Sequence, residues 1–360
     1  MSEVLKLSPL DQHHRDLGGR LVSFAGWEMP VVYSSIIEEH QAVRNDVGIF
    51  DISHMGQVFV SGQGATKWLN RMLTNDVEAL EPGNAHYTFL LNERGGVIDD
   101  LILYCLTEDR YLLVVNASKI DEDMAWLEEH RQEGVEILND SAEWAGMAIQ
   151  GSKASEAYFG ASGGRTLPQR NGVDDLTMEG SRFIVCRTGY TGEDGFELFC
   201  PKSMAAYWWE ILLAEDVKPC GLGARDSLRL EMCYPLNGND LSPDRTPLEA
   251  GLGFFVTLEK EDFIGKEALD TQKAEGLKER LVAIEVTERG APPRAGYPVL
   301  AANGEPLGVL TSGGASPSLG KGIALAYLPV ASAKIGTQVD IEIRGKKISA
   351  QVVKKPFYQK

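Results

Sequence analysis

The sequence predicts an α+β fold that ends in an all-β region. Hairpin-like apolar runs alternate with amphipathic helices through the first three-quarters of the chain, which points to layers built on antiparallel sheet rather than a doubly wound parallel sheet. From about residue 277 the character changes to β-rich runs separated by short turns. Within one early apolar strand, Gly95-Gly-Val-Ile-Asp-Asp-Leu-Ile-Leu-Tyr104, two adjacent carboxylates interrupt the pattern. No repeat of fixed period and no low-complexity tract complicates this division.

In chain order, Ser35-Ile-Ile-Glu38 is a capping box that opens a helix through His40, Val43 and Arg44, which Gly48 ends. Phe50-Asp-Ile-Ser-His-Met-Gly56 leads into a strand over Gln57 to Val60. A helix about Lys67 to Met72 precedes Asn84–Phe89 and the strand with the paired aspartates, and a second strand runs from Tyr111 to Val115. Asn116-Ala-Ser118 is expected to cap a helix whose Ile120, Met124 and Leu127 fall at i, i+4, i+7. Further on, Phe183 to Phe199 forms another hairpin-like segment, followed by an amphipathic helix near Ala205 to Leu213 bearing Trp208 and Trp209. Gly221-Leu-Gly-Ala-Arg225 then leads into a helix expected over Asp226 to Met232. The tail holds strands at Leu281–Val286, Pro306–Thr311, Val339–Arg344 and Ile348–Val353, with turns at Asn303-Gly304 and Arg344-Gly345, and reads as a separate barrel. The expected regions are 1–140, 141–276 and 277–360.

A chain of 360 residues can build two or three cores, and 43% hydrophobic with 24% charged residues is ordinary globular composition. The net charge of −17, from 35 basic and 52 acidic side chains, disfavours non-specific binding to nucleic acid or an anionic membrane. Five scattered cysteines with no Cys-x-x-Cys read as reduced thiols of a cytosolic compartment. The first residues lack a basic stretch followed by an apolar core, so no signal peptide is expected, and no apolar run is long enough to span a bilayer. A cytoplasmic location is the expectation.

Several chemistries find no motif. The six histidines are dispersed, apart from His13-His14, and no His-Glu-x-x-His or paired-cysteine pattern predicts a metal. Gly221-Leu-Gly223 lacks the third glycine of a dinucleotide fingerprint, and neither a phosphate-binding loop nor a Gly-x-Ser-x-Gly elbow is present. What remains is a set of polar residues inside apolar strands. Asp99 and Asp100 must point to opposite faces of one strand, and a buried carboxylate needs a partner or a purpose. Glu197 follows the glycine turn Tyr190-Thr-Gly-Glu-Asp-Gly195 and lies between Phe196 and Leu198. A carboxylate there suits bidentate recognition of a ring edge with adjacent N–H donors, such as a pterin or purine, or an ion pair with Arg229; the two can coexist. Tyr87, Tyr190 and Met55 read as core or rim residues that can also sandwich a flat ring, and Asn116 as a helix cap or a pocket residue.

Taken together, these residues resemble the glycine cleavage T-protein family of aminomethyltransferases. The resemblance covers essentially the whole chain. Five blocks carry it in order: Asp51-Ile-Ser-His-Met-Gly56, Gly95-Gly-Val-Ile-Asp-Asp100, Arg187-Thr-Gly-Tyr-Thr-Gly-Glu-Asp-Gly-Phe-Glu197, Gly223-Ala-Arg-Asp-Ser-Leu-Arg-Leu-Glu231 and Thr311-Ser-Gly-Gly-Ala-Ser-Pro-Ser-Leu-Gly320. It implies a three-domain cloverleaf around a folate channel, with two α+β, ferredoxin-like domains and a C-terminal β-barrel. It implies a reaction in which an aminomethyl group on the lipoyl arm of H-protein gives up its one-carbon unit to tetrahydrofolate, forming 5,10-methylene-tetrahydrofolate and ammonia. By the same resemblance Asp100 is the acid/base and positioning carboxylate, and Asp99 faces away. Glu197 with Arg229 holds the pterin, and Tyr87, Tyr190, Asn116 and Met55 complete the pocket. Met232-Cys-Tyr-Pro-Leu-Asn-Gly238 departs from the family's usual Leu-Tyr-Gly pattern. Two alternatives share the scaffold: a folate-dependent demethylase without a lipoyl partner, and a non-catalytic folate-binding helper.

Overall fold

The computed structural model describes residues 4–178 and 180–360. The chain forms two compact units. The first comprises Met1–Asn70, Asp76–Thr88 and Asp100–Asp226, and the second Arg71–Asn75, Phe89–Asp99 and Ser227–Lys360. The strand Val97–Thr107 and the helix Leu222–Glu231 are each divided between them, so Asp99 and Asp100 count with different units, as do Arg225 and Arg229.

In the first unit a six-stranded sheet has the order Val173–Met178, Ser181–Cys186, Gly195–Pro201, Trp144–Gln150, Gly48–Asp51, Lys218–Pro219. All its pairs are antiparallel except the last. Strand alternation sorts its residues cleanly. Ala145, Met147, Ile149, Phe196, Leu198 and Cys200 point to one face, where they pack with Trp208, Trp209 and Leu212 of the helix Ala205–Leu213 and with Tyr158. Glu197 therefore points to the opposite face, in register with Ala148 on one side and Cys186 on the other. The residues Asp100–Thr107 belong to a second antiparallel sheet of this unit, next to Arg110–Val115, then Gly56–Ser61, then Glu136–Asn139. A third, small sheet sets Trp27–Val32 between Lys6–Leu7 and Arg20–Phe24.

The capping box forms as its sequence dictates. Ser35 accepts the Glu38 N–H at 3.1 Å and the helix runs Ile36–Asn45. Two expectations are corrected. The helix after Asn116 is Ile120–Glu129 with Lys119, not Asn116, at its N-cap and no side-chain cap hydrogen bond, and the Asn116 amide N–H donates to Asp100. The helix expected over Asp226 to Met232 starts earlier, at Leu222. Gly223 is tolerated inside it because a Cβ there would stand 2.7 Å from the Ile36 side chain and 3.0 Å from Val31 O.

The second unit is dominated by a closed six-stranded barrel in the order Glu279–Val286, Lys321–Pro329, Pro306–Ser316, Pro298–Ala301, Gln338–Ile343, Lys346–Val353. Alternate residues fill its interior, among them Val282, Ile284, Leu310, Ala324, Ala326, Ile341 and Val352. Arg344 and Gly345, both at positive φ (51° and 75°), make the two-residue hairpin between the last strands. The fold is thus α+β with a C-terminal barrel. Among the described residues no helix is long and apolar enough to cross a membrane.

Candidate active site

Asp100 sits near the start of the first unit's share of the strand Val97–Thr107, and its carboxylate is held from two directions. The Tyr87 hydroxyl donates to Oδ2 at 2.7 Å. The Asn116 amide donates to Oδ1 at 3.1 Å and to the Asp100 carbonyl at 2.9 Å. Register explains the grouping. Ile102 pairs with Val114, and Gly56 with Val115, so two steps beyond the first pair and one beyond the second the register aligns Asp100, Asn116 and Met55 in a row across the sheet. In such a row the side chains share a face, which is what brings Asn116 to the carboxylate.

Along the same strand face, Asp100 is followed by half-buried Ile102 and then by Tyr104. The Tyr104 hydroxyl donates to Glu197 Oε2 at 3.2 Å, and Thr188 Oγ1 donates to the same oxygen at 2.6 Å. Four residues of extended chain span about 13 Å. The two carboxylates are therefore linked by one rigid strand, with an apolar patch at Ile102 between them. Burial and the neighbouring Glu197 charge hold the Tyr104 hydroxyl well above the usual phenol range, so it remains a donor.

Arg225 completes the group. Its guanidinium lies over the Tyr190 ring at 5.0 Å and interacts with Glu197 through space. Its Nη1 is buried and finds no hydrogen-bond partner among the described residues. Burial lowers its pKa and Glu197 opposes that, yet an arginine starts so high that it stays a cation. The turn presenting Tyr190 is pinned from behind. Arg44 donates to the Thr191 carbonyl at 2.7 Å and to Glu193 at 3.1 Å, and Thr191 Oγ1 donates to Gln150 at 2.8 Å. Gly192 turns the chain at φ 81°, and a Cβ on Gly189 would fall 2.0 Å from the Gln150 side chain.

The residues singled out in the sequence fall as follows. Asp100, Tyr87, Asn116, Met55, Glu197 and Tyr190 all lie in the first unit, and Asp100 meets Tyr87 and Asn116 directly. Arg229 lies in the second unit, 3% exposed. There its Nη1 donates to Asp240 at 2.9 Å in a buried ion pair, and its Nη2 donates at 2.9 Å to Ser312 of the barrel strand Pro306–Ser316. Within the first unit the arginine brought to Glu197 is Arg225, four residues earlier on the same helix. Sequence reading missed this choice, because residues at i and i+4 share a helix face and both arginines sit in one block. It also missed Thr188 and Tyr104 as the donors to Glu197. The adjacency of Thr188 to the glycine turn was the available signal.

Comparison with known proteins fits this architecture. Residues 10–260 match the family model for the GCVT N-terminal domain, and residues 279–359 match the glycine cleavage T-protein C-terminal barrel domain. An aminomethyltransferase of Bacillus subtilis (strain 168) is 46% identical over 364 residues, covering 99% of this chain and 100% of its own. One from Geobacillus kaustophilus (strain HTA426) is 47% identical over 367 residues, with coverage of 99% and 100%. Among solved structures, glycine cleavage system aminomethyltransferase T from Bartonella henselae superposes with a TM-score of 0.93 at 38% identity, over 98% of each chain. The chain belongs to the glycine cleavage T-protein family and is an enzyme of the aminomethyltransferase class.

Proposed function

We propose that the chain moves the one-carbon unit of an aminomethyl-lipoyl H-protein to tetrahydrofolate, giving 5,10-methylene-tetrahydrofolate, ammonia and the dihydrolipoyl carrier. The observation that carries the reading is Asp100, a carboxylate fixed by Tyr87 and Asn116 on the same strand face that supplies Tyr104 to Glu197. A ring with adjacent N–H donors suits Glu197, and an acceptor on that ring would give the buried Arg225 Nη1 the partner it lacks. Tyr190, already stacked on Arg225, and Met55 supply apolar surface. The proton count closes. Tetrahydrofolate gives up two N–H protons as two C–N bonds form; one leaves with ammonia and the other ends on the thiol. Asp100 holds the folate amine and assists its proton loss, and its two donors keep it in the required orientation. The chain's place is the cytoplasm, with lipoylated H-protein as its partner.

Replacement of Asp100 by Asn tests the role. The variant should keep tetrahydrofolate binding and lose on the order of a hundredfold in turnover of aminomethylated H-protein. Turnover close to wild type would remove Asp100 from the mechanism. A product of 5-methyl-tetrahydrofolate from a methylated small molecule would favour the demethylase instead.

A further inference from the structure

The Glu197 carboxylate is held by one of its two oxygens. Thr188 Oγ1 donates to Oε2 at 2.6 Å. The Tyr104 hydroxyl stands 3.2 Å from the same Oε2 and 2.8 Å from Thr188 Oγ1. Each hydroxyl carries a single proton. Thr188 gives its proton to the carboxylate, so its oxygen is left to accept, and Tyr104 shares its own proton between that oxygen and Oε2. The three oxygens close a small triangle in which Oε2 is the final acceptor. Oε1, by contrast, accepts no hydrogen bond among the described residues. Glu197 is 6% exposed, so the side chain is withdrawn from bulk water with one oxygen doubly engaged and the other uncommitted. A buried acceptor in that state calls for a reason.

Both donors are fixed in place by their own surroundings. Tyr104 lies fully buried on the strand Val97–Thr107, paired with Leu112. Thr188 lies just past the strand Ser181–Cys186, whose last residue, Cys186, stands opposite Glu197 in the ladder. There the Thr188 N–H turns back to the Cys186 carbonyl at 2.9 Å, and the chain leaves the ladder with Oγ1 at the carboxylate. Gln150, fully buried at the end of the adjoining strand Trp144–Gln150, grips this turn. Its Nε2 donates to the Thr188 carbonyl at 3.1 Å, and its Oε1 accepts from Thr191 Oγ1 at 2.8 Å. The amide fits only because its neighbours are glycines: a Cβ on Gly189 would fall 2.0 Å from Gln150 Oε1, and one on Gly195 2.6 Å from its Nε2.

We propose that Thr188 and Tyr104 are positioning residues that fix Glu197 by Oε2 and present Oε1 to the N–H edge of the ligand ring. This rests on the folate reading above and deepens it. A loose carboxylate must give up rotamer freedom when a ring docks against it, whereas one already held by a second oxygen loses little. Neither hydroxyl touches the ring in this arrangement; both act through Glu197. The charge-assisted bond from Thr188 is the shorter of the two to Oε2 and carries the larger share.

The test is the Kd of tetrahydrofolate, measured by anaerobic calorimetry on the full chain, for wild type, Thr188→Val, Thr188→Ser and Tyr104→Phe. Valine keeps the shape of threonine and removes the donor; serine keeps the donor. Thr188→Val should weaken binding about three- to tenfold, the yield of one modest hydrogen bond. Tyr104→Phe should weaken it in the same direction by less, and Thr188→Ser should stay near wild type. In a Glu197→Ala background Thr188→Val should cost nothing further, because no carboxylate is left to hold. Affinity unchanged or tightened by Thr188→Val, a drop in Tm with Kd unmoved, or a loss that persists without Glu197 would each overturn the positioning role and leave the folate site intact. Wild type that does not bind tetrahydrofolate would overturn the proposed function itself. Should Thr188→Val fail to fold, Tyr104→Phe, alone and with Glu197→Ala, decides by the same criteria.

Discussion

The hydrogen bond from Tyr87 to Asp100 gives the sharpest handle on how the carboxylate works. Tyr87→Phe deletes one hydroxyl and leaves the ring. The lost bond is 2.7 Å long and ends on a carboxylate oxygen, a class worth about 1.5–3 kcal/mol. Asn116 still holds the other oxygen at 3.1 Å and the Asp100 carbonyl at 2.9 Å, so the carboxylate is loosened rather than released. That places the loss at the lower end, about 1.5–2 kcal/mol, or roughly 10- to 30-fold in rate. The assay is single-turnover formation of methylene-tetrahydrofolate from aminomethylated H-protein, with tetrahydrofolate affinity measured alongside. Rate should fall while affinity holds. The Tyr87→Phe/Asp100→Asn double variant separates positioning from other effects. If the hydroxyl acts through the carboxylate, it should be little slower than Asp100→Asn alone. Fully additive losses would refute the positioning role.

Three further perturbations follow from the buried charges. Arg225→Met should weaken tetrahydrofolate binding with little change in thermal stability, since an unpartnered guanidinium nitrogen is exchanged for apolar contact with Tyr190. Arg229→Met should do the reverse, leaving Asp240 buried without its cation at a cost of about 3–5 kcal/mol, seen as a lowered Tm; identical effects from the two would undo the distinction. Burial alone would raise the Asp51 pKa, but the His14, Ser53 and Ser8 hydrogen bonds and the His14 charge bring it below its ordinary value. With a depressed folded-state pKa, the stability Asp51 contributes is present above its unfolded value near 4 and is lost as pH falls through the folded one. In denaturant titrations Asp51→Asn should be about 3 kcal/mol less stable than wild type at pH 7. The gap should close in the acid range below pH 4, and a gap independent of pH would contradict the assignment.

Local rules made much of the fold legible. The Ser35 cap, the helix Ala205–Leu213 and the Arg344-Gly345 hairpin are each written in a few adjacent residues, and each formed. Two barrel strands, Pro298–Ala301 and Lys321–Pro329, escaped notice. The first opens on a proline and the second reads as a run of small and apolar residues without alternation. Asn116 shows the limit of local reading. As a cap its amide oxygen would have accepted a helix N–H, but the helix begins only at Ile120, and register places Asn116 opposite Asp100, to which its amide N–H donates. Likewise nothing in Ala224-Arg-Asp-Ser-Leu-Arg229 says which arginine meets Glu197 and which meets Asp240. That is settled by pairings of residues distant in sequence. The carboxylates themselves were legible because charge inside an apolar strand demands a reason.

The most direct test of the account is product analysis with the wild-type chain, aminomethylated H-protein and tetrahydrofolate. The account predicts one 5,10-methylene-tetrahydrofolate and one ammonia per aminomethyl group consumed, with Asp100→Asn slowed on the order of a hundredfold while still binding tetrahydrofolate. Folate bound but no ammonia released, by a well-folded wild-type chain, would contradict it.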